Sequence, residues 1–309
     1  MTPSSQRTVK LDFGAILDSL FGLGEATRKV NFQVGNRIVR ASVPEDAIFF
    51  GMKDILYNRE YELYPAFELP NPREVVVDAG ANAGLYAVIA SIFSKKVIAL
   101  EPDLESFNAL SENLTANNIE NVVAIRAALW SDDGDVEFHK RRSSQLGSIK
   151  MHSDSRNTEL VEAVSLRTLL DKFEGKLLSP GIDLLKLDIE GAEFDVIKSC
   201  NARTLQAISR IVAEIHTEHG DYRDLAAKLS RNGFSYSILD RPARKPQDKN
   251  IRVLSDYKVK LLMMAINALM ELSHYHDHSS LLLYASKQPS DLFSVVQSGP
   301  MRVIDTRIL

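Results

Sequence analysis

Two apolar stretches of the chain each end in charge. One is Ile182-Asp183-Leu184-Leu185-Lys186-Leu187-Asp188-Ile189-Glu190, and the other is Ile211-Val212-Ala213-Glu214-Ile215-His216. Both have the composition of buried strands, in which successive side chains alternate between faces. Alternation places Ile182, Leu184, Lys186, Asp188 and Glu190 on one face of the first, and Val212, Glu214 and His216 on one face of the second. As neighbours in a sheet, the two strands gather Lys186, Asp188, Glu214 and His216 at one carboxyl edge. A lysine inside an apolar strand must be paired or working, because an isolated buried charge costs several kcal/mol. Groups of this kind move protons: His216 or Asp188 as a base, with Lys186 steadying the carboxylates or a developing alkoxide. A structural salt-bridge cluster is the competing reading. Asp188, Glu214 and His216 also offer the oxygen and imidazole donors that suit magnesium or manganese. Lys186 beside them opposes a highly charged cation, and no metal is expected.

A ligand corner precedes this cluster. Val75-Val76-Val77 reads as a strand buried on both faces, and Asp78-Ala79-Gly80-Ala81-Asn82-Ala83-Gly84 turns the chain into a helix that begins near Leu85. Gly80 and Gly84 permit a close backbone approach, and the free N–H groups of the helix start face the corner. Glu101 ends the next apolar strand about twenty residues later, where an acid can accept hydrogen bonds from both ribose hydroxyls. The turn lacks the third glycine of a dinucleotide fingerprint, and it lacks the lysine of a phosphate loop. Asp78 beside it repels a pyrophosphate and welcomes a cationic ligand such as the sulfonium and amino-acid end of S-adenosylmethionine. Ala127-Ala128-Leu129 would be the apolar shelf for its adenine.

The elements that must hold these residues alternate. Strands are expected at 75–79, 96–100, 122–127, 182–189, 208–215 and 234–239, with helices near 84–94, 104–117, 165–173, 191–200 and 221–232. The alternation predicts an α/β, doubly wound, mainly parallel sheet, with ligands beyond the carboxyl ends of its strands. Residues 1–69 form an N-terminal cap: an amphipathic helix carrying Leu11, Ile16 and Phe21, a hairpin over 31–43 turning at Gly35-Asn36, and an aromatic-rich helical segment over 44–69. That segment, with Phe49, Phe50, Tyr57, Tyr61, Tyr64 and Phe67, is either core or part of a substrate pocket. Residues 70–287 form the main domain. It carries a polar loop at 141–158, an insertion at 241–278 and a last strand at 279–286. The insertion holds an apolar helix over 254–272, read as core packing or a homodimer face, with a lid or a membrane-surface anchor as the alternatives. His274, His276 and His278 after it read as a polar connection rather than a zinc site. The 288–309 tail carries little signal.

Composition excludes several classes. Hydrophobic residues make up 45% and charged residues 25% of 309, as expected of a globular protein. A net charge of −4 supplies no field for nucleic acid. No stretch is long and apolar enough for a membrane span, and the N-terminus does not read as a signal peptide. The single cysteine, Cys200, suits a reducing, cytoplasmic setting.

Four motifs carry a family resemblance. They are Val76-Val77-Asp78-Ala79-Gly80-Ala81-Asn82-Ala83-Gly84, Ala99-Leu100-Glu101-Pro102, Asp183-Leu184-Leu185-Lys186-Leu187-Asp188-Ile189-Glu190-Gly191-Ala192-Glu193 and Ala213-Glu214-Ile215-His216. Together they resemble the FkbM-like family of S-adenosylmethionine-dependent methyltransferases, within the class I Rossmann-like fold. The resemblance implies a seven-stranded sheet whose last strand is antiparallel and inserted beside the fifth. It also implies methyl transfer to a hydroxyl of a sugar, glycan or small secondary metabolite. The implied cofactor site is Asp78, Gly80, Ala81, Asn82, Gly84, Glu101, Pro102, Ala127, Ala128 and Asp188. The implied catalytic set is Lys186, Asp188, Glu214 and His216. A catalytically silent assembly module and a dinucleotide-dependent oxidoreductase are the alternatives.

Overall fold

The computed structural model describes residues 27–34, 37–44, 52–57, 59–139, 158–173, 181–240, 280–293 and 303–308. The expected N-terminal helix, the 141–157 loop, the 254–272 helix and the three histidines after it lie outside the described residues.

In chain order the elements are β1 (Thr27–Val34), β2 (Arg37–Pro44), β3 (Arg73–Ala79), α1 (Leu85–Phe93), β4 (Ser94–Leu100), α2 (Leu104–Ala116), β5 (Val122–Ile125), β6 (Ala128–Trp130), β7 (Gly134–His139), β8 (Thr158–Ser165), α3 (Leu166–Phe173), β9 (Ile182–Leu187), α4 (Glu193–Ser199), α5 (Ala202–Gln206), β10 (Ile208–His216), α6 (Tyr222–Arg231), β11 (Ser235–Asp240), β12 (Ser280–Ser286) and β13 (Val303–Arg307). The main sheet runs β13-β11-β12-β10-β9-β3-β4-β5. Its β10-β9-β3-β4-β5 half is parallel, and β12 lies antiparallel between β10 and β11.

That order contains the expected seven strands, with the last one inserted beside the fifth. The sheet differs in having an eighth strand, because β13 in the tail pairs with β11 at the edge. The third expected strand is also shorter. It leaves the sheet after Ile125, and Ala128–Trp130 joins β7 and β8 in a separate three-stranded sheet.

Both faces of the main sheet are covered, as a near-continuous apolar strand such as β3 requires. Val76, Val97, Ala99, Leu184 and Val212 face α1, α2, the β1–β2 hairpin and the aromatic segment. Val75, Val77, Leu185, Leu187, Ile211 and Ala213 face α3, α4, α5 and α6. The shared face of Leu184 and Val212 follows the alternation, whereas Ile182 at the start of β9 packs into the other layer.

The aromatic segment folds as one π-helical stretch at Met52–Tyr57 and short 3-10 turns at Glu60–Glu62 and Pro65–Phe67 rather than as one long helix. Pro65 starts the second turn, where a missing N–H costs nothing. Tyr284 of β12 anchors the segment. Its hydroxyl donates to the Glu60 carbonyl and accepts from Leu63 N at 3.2 Å, and its ring meets Tyr64 and Phe67 at 5.0 and 4.9 Å. Tyr64 Oη also donates to Ser237 Oγ at 2.8 Å. Asn113 of α2 ties the hairpin to the glycine turn, accepting from Ser42 N at 2.5 Å and donating to Ala83 O at 2.8 Å.

Candidate active site

β3 is where the chain order switches direction across the sheet, with β4 on one side and β9 on the other. Ligands of open α/β sheets bind at such a point, beyond the carboxyl ends of the strands. Register places Asp78 beside Lys186, and Lys186 beside Val212. Lys186 Nζ stands 3.0 Å from Asp78 Oδ1, 3.7 Å from Asp188 Oδ2 and 3.0 Å from the Gly80 carbonyl, to which it donates. It also lies over two rings, 5.1 Å from the centroid of Tyr61 and 5.7 Å from that of Tyr86. The lysine expected to be paired or working is therefore paired, and it ties the glycine turn to the acid after β9.

The turn itself has a tight internal logic. Gly80 N and Ala81 N donate to Leu100 O at 3.1 and 3.0 Å. Asn82 takes a left-handed φ of 50° and donates its N–H to Glu101 Oε2 at 2.7 Å. Glu101 Oε1 accepts from Asp103 N at 2.9 Å, so the acid at the end of β4 holds the turn at the end of β3. Each Glu101 oxygen keeps acceptor capacity beyond its one backbone partner. The two glycines are needed by the chain itself. Gly80 has φ +74°, and a Cβ there would sit 1.7 Å from the Asp188 carbonyl; Gly84 has φ +80°, and a Cβ would sit 2.3 Å from Leu110 Cδ1. Gly84 also caps α1 without a side-chain acceptor. Pro102 is half-buried after Glu101, and Ala81 is buried in the core. Ala127 and Ala128 are buried as well, one in the second core layer and the other against Phe138 and Val161.

On the far side of Lys186, β10 delivers Glu214 and His216. His216 faces carboxylates through both ring nitrogens: Nδ1 is 3.3 Å from Glu193 Oε1, while Nε2 is 3.4 Å from Glu190 Oε2 and 3.8 Å from Glu214 Oε1. Glu193 Oε1 is fixed in turn by Ile189 N at 3.0 Å and Gly191 N at 3.3 Å. Tyr61 Oη donates to Asp188 Oδ2 at 2.8 Å and lies 3.5 Å from Glu214 Oε2. The four residues expected to meet at the sheet edge do meet there.

The methyltransferase FkbM domain profile matches residues 78–236, just over half of the 309-residue chain. The chain belongs to the FkbM methyltransferase family. Methyltransferase 1 of Beauveria bassiana is 24% identical over 226 residues, which cover 65% of this chain and 86% of that protein. Methyltransferase sdnD of Sordaria araneosa is 29% identical over 206 residues, which cover 55% of this chain and 77% of that protein. Among solved structures, methyltransferase FkbM from Methylobacillus flagellatus aligns with a TM-score of 0.41 at 14% identity, over 78% of this chain and 53% of that one.

In this FkbM methyltransferase the site is rich in negative charge. Asp78 and Asp188 surround Lys186, while Glu190, Glu193 and Glu214 surround His216. Burial pulls the Lys186 ammonium down, but Asp78, Asp188 and Glu214 outweigh it and hold its pKa above the ordinary value. Burial also pulls His216 down, and the hydrogen bond and charge of Glu193, with Glu214 and Glu190, raise it well above the usual range. Burial pushes Glu190 well above the carboxylate range against the pull of His216.

A protonated imidazole has no lone pair left to accept a proton. That separates the two candidate bases: the acids around buried His216 raise its pKa and favour the imidazolium, whereas Asp188 keeps 28% of its side chain exposed. Asp188, Glu190 and His216 bring donor atoms within 4.8 Å of one another, a span a metal ion could bridge. Lys186, 3.7 Å from Asp188, is a fixed cation competing for the same charge.

Sequence reasoning missed three residues of this site as contributors. Glu190 and Glu193 read as helix-start acids, and nothing local shows that His216 is their partner. Tyr61 is one of several aromatics in the cap, 127 residues from Asp188. Only its place beside two polar residues, Glu60 and Glu62, distinguishes it.

Proposed function

We propose that the protein is an S-adenosylmethionine-dependent O-methyltransferase acting on a hydroxyl of a sugar, glycan or small secondary metabolite. The observation that carries this reading is Asp188: a partly exposed carboxylate at the strand switch point, held by Lys186 and Tyr61 and packed against the glycine turn.

The donor set fits the cofactor. Among the described residues, an acid-rich edge with a single lysine favours a cationic ligand over a polyphosphate. Glu101, next to the turn, has acceptor capacity for ribose hydroxyls. Bound there, S-adenosylmethionine would supply a sulfonium-activated methyl group, which passes to the acceptor oxygen as the carbon–sulfur bond breaks. The protein's work is placement and proton removal. Asp188 takes the hydroxyl proton, Lys186 keeps that carboxylate oriented, and Glu101 holds the cofactor end; Asp78, expected from the sequence to meet the ligand, is fully buried and acts only through its pair with Lys186. The buried His216 ring, facing Glu190, Glu193 and Glu214, ties these acids together behind them.

Titration calorimetry with S-adenosylmethionine tests the cofactor, and a cofactor-turnover screen over glycans, polyketides and small phenols tests the acceptor. Micromolar binding with transfer to a hydroxyl is the expected result. Absence of any binding heat would return the fold to a silent module. Transfer to nitrogen or carbon alone would overturn the O-methyl assignment.

A further inference from the structure

We infer that Tyr61 is a positioning residue for the transfer step, supplied to the site by the N-terminal cap. The inference rests on the methyl-transfer reading above and adds to it a residue outside the matched span of 78–236.

Four contacts converge on this one side chain. Its hydroxyl donates to Asp188 Oδ2 at 2.8 Å and lies 3.5 Å from Glu214 Oε2, so it spans acids carried by neighbouring strands. Its ring lies 5.1 Å from Lys186 Nζ, where a cation is attracted to the π face. The same ring meets Tyr86 of α1 edge-on at 5.8 Å. Tyr61 is 3% exposed, so its hydroxyl is committed to these partners rather than to solvent.

The cap is built to hold it there. The Tyr284 hydroxyl accepts from Leu63 N and donates to the Glu60 carbonyl, fixing the backbone on both sides of Tyr61. Glu62, next in sequence, is pinned by Arg59 Nη2 at 2.9 Å and accepts from Leu69 N at 2.8 Å. Two rigid turns therefore deliver one phenol to the carboxylate assigned the proton. A carboxylate with one exposed edge can rotate. The Tyr61 hydroxyl and Lys186 hold the same oxygen, Oδ2, which leaves Oδ1 for the acceptor. The cap is thus part of the active site rather than an appended unit.

The test compares wild type, Tyr61→Phe and Tyr61→Leu in the full chain. Tyr61→Phe keeps the ring and the packing, so it separates the hydroxyl from the fold. Crystal structures without ligand should show the Asp188 carboxylate of Tyr61→Phe displaced by about 1 Å or more with the backbone unchanged, a shift large enough to matter for transfer. With an acceptor from the screen, Tyr61→Phe should lose about ten- to a hundred-fold in kcat, while its KM for S-adenosylmethionine stays within about two-fold. Tyr61→Leu should lose more in kcat and also melt earlier. An Asp188 that stays in place, or a Tyr61→Phe kcat equal to wild type, overturns the inference. A kcat loss in Tyr61→Phe that merely tracks a lower melting temperature also overturns it. A wild type that binds no S-adenosylmethionine sinks the methyl-transfer reading instead, and the position of Asp188 in Tyr61→Phe is read independently of that result.

Discussion

Lys186 and Asp78 form an ion pair at 3.0 Å between the ends of adjacent parallel strands, with 2% and 0% of their side chains exposed. Breaking a buried pair from one side leaves an uncompensated charge, which costs about 3–5 kcal/mol. Lys186→Met should therefore destabilise the protein by about that amount, because it strands Asp78 and also removes the donor to the Gly80 carbonyl. Asp78→Asn should cost less, since Asp188 still balances the lysine. The double variant Asp78→Asn/Lys186→Met should recover part of the loss. Urea denaturation of all four proteins completes the cycle, and purely additive effects would refute the pair. The Gly80 contact further implies that Lys186→Met weakens cofactor binding along with turnover.

Asp188 and His216 should separate under mutation. Asp188→Asn keeps the volume and an acceptor for Tyr61 but not the charge. Its kcat should fall by about 10²- to 10⁴-fold, the usual contribution of a general base, with S-adenosylmethionine affinity changed little. His216→Gln should act on stability instead, because it removes the ring that faces Glu190, Glu193 and Glu214 through both of its nitrogens. A histidine with a raised folded pKa stabilises fully below its unfolded value, and that contribution is lost as pH rises through the folded one. The stability advantage of wild type over His216→Gln should therefore shrink progressively above the ordinary histidine range. Paired kcat and denaturation measurements from pH 6 to 9 check both points. A His216→Gln enzyme that is stable but inactive would reverse the assignment.

These two pairs also show where the sequence is legible. Lys186 is informative because an ammonium within Leu184-Leu185-Lys186-Leu187 contradicts its surroundings, and such a conflict demands a partner. Three consecutive valines identify β3 for a related reason, since only a strand covered on both faces uses them all. Tyr61 carries no such conflict. A tyrosine among aromatics is equally at home in a core, and the carboxylate it serves is 127 residues away. Glu193 is hidden by its suitability for a helix start. The tail strand Val303–Arg307 is hidden because an edge strand half polar in composition resembles a loop until β11 supplies its partner. The glycines were legible as glycines, but their crowding by Asp188 and Leu110 is a tertiary fact.

That crowding distinguishes Gly80 from Gly84. Alanine at either position must adopt a left-handed φ, which costs about 1–3 kcal/mol. At Gly80 the new methyl would meet a backbone carbonyl at 1.7 Å, and no side-chain rotation relieves it. At Gly84 it would meet the far methyl of Leu110 at 2.3 Å, which can swing aside. Gly80→Ala should therefore lose about 3–5 kcal/mol, strain and overpacking together, and displace Asp188. Gly84→Ala should lose about 1–3 kcal/mol and retain a folded site. Thermal melts and calorimetric titration with S-adenosylmethionine test the order, and equal losses at the two positions would contradict it.

Glu101 links the cofactor turn to pH. Burial pushes its carboxyl up to about 7, against hydrogen bonds from Asp103 N and Asn82 N that favour the ionised form. The group is thus raised above its unfolded value, so the stabilisation tied to its proton is complete below about 4.5 and is lost as pH rises through about 7. A shift of that size corresponds to about 3 kcal/mol. Glu101→Gln carries no charge at any pH, so the ligand-free variant should lack this pH dependence, and its stability relative to wild type should rise between about pH 4.5 and pH 7. Its amide nitrogen cannot accept from Asn82 N or Asp103 N, so the variant starts below wild type at low pH. Ribose hydroxyls donate to the ionised form, so cofactor binding should draw the proton off. Wild-type affinity for S-adenosylmethionine should rise as pH climbs from 6 to 8, and Glu101→Gln should bind weakly with no such rise. Calorimetry in buffers of different ionisation enthalpy would register the released proton. If wild type releases none near pH 6.5, Glu101 is ionised before the ligand arrives, and its carboxylate serves the turn rather than the ribose.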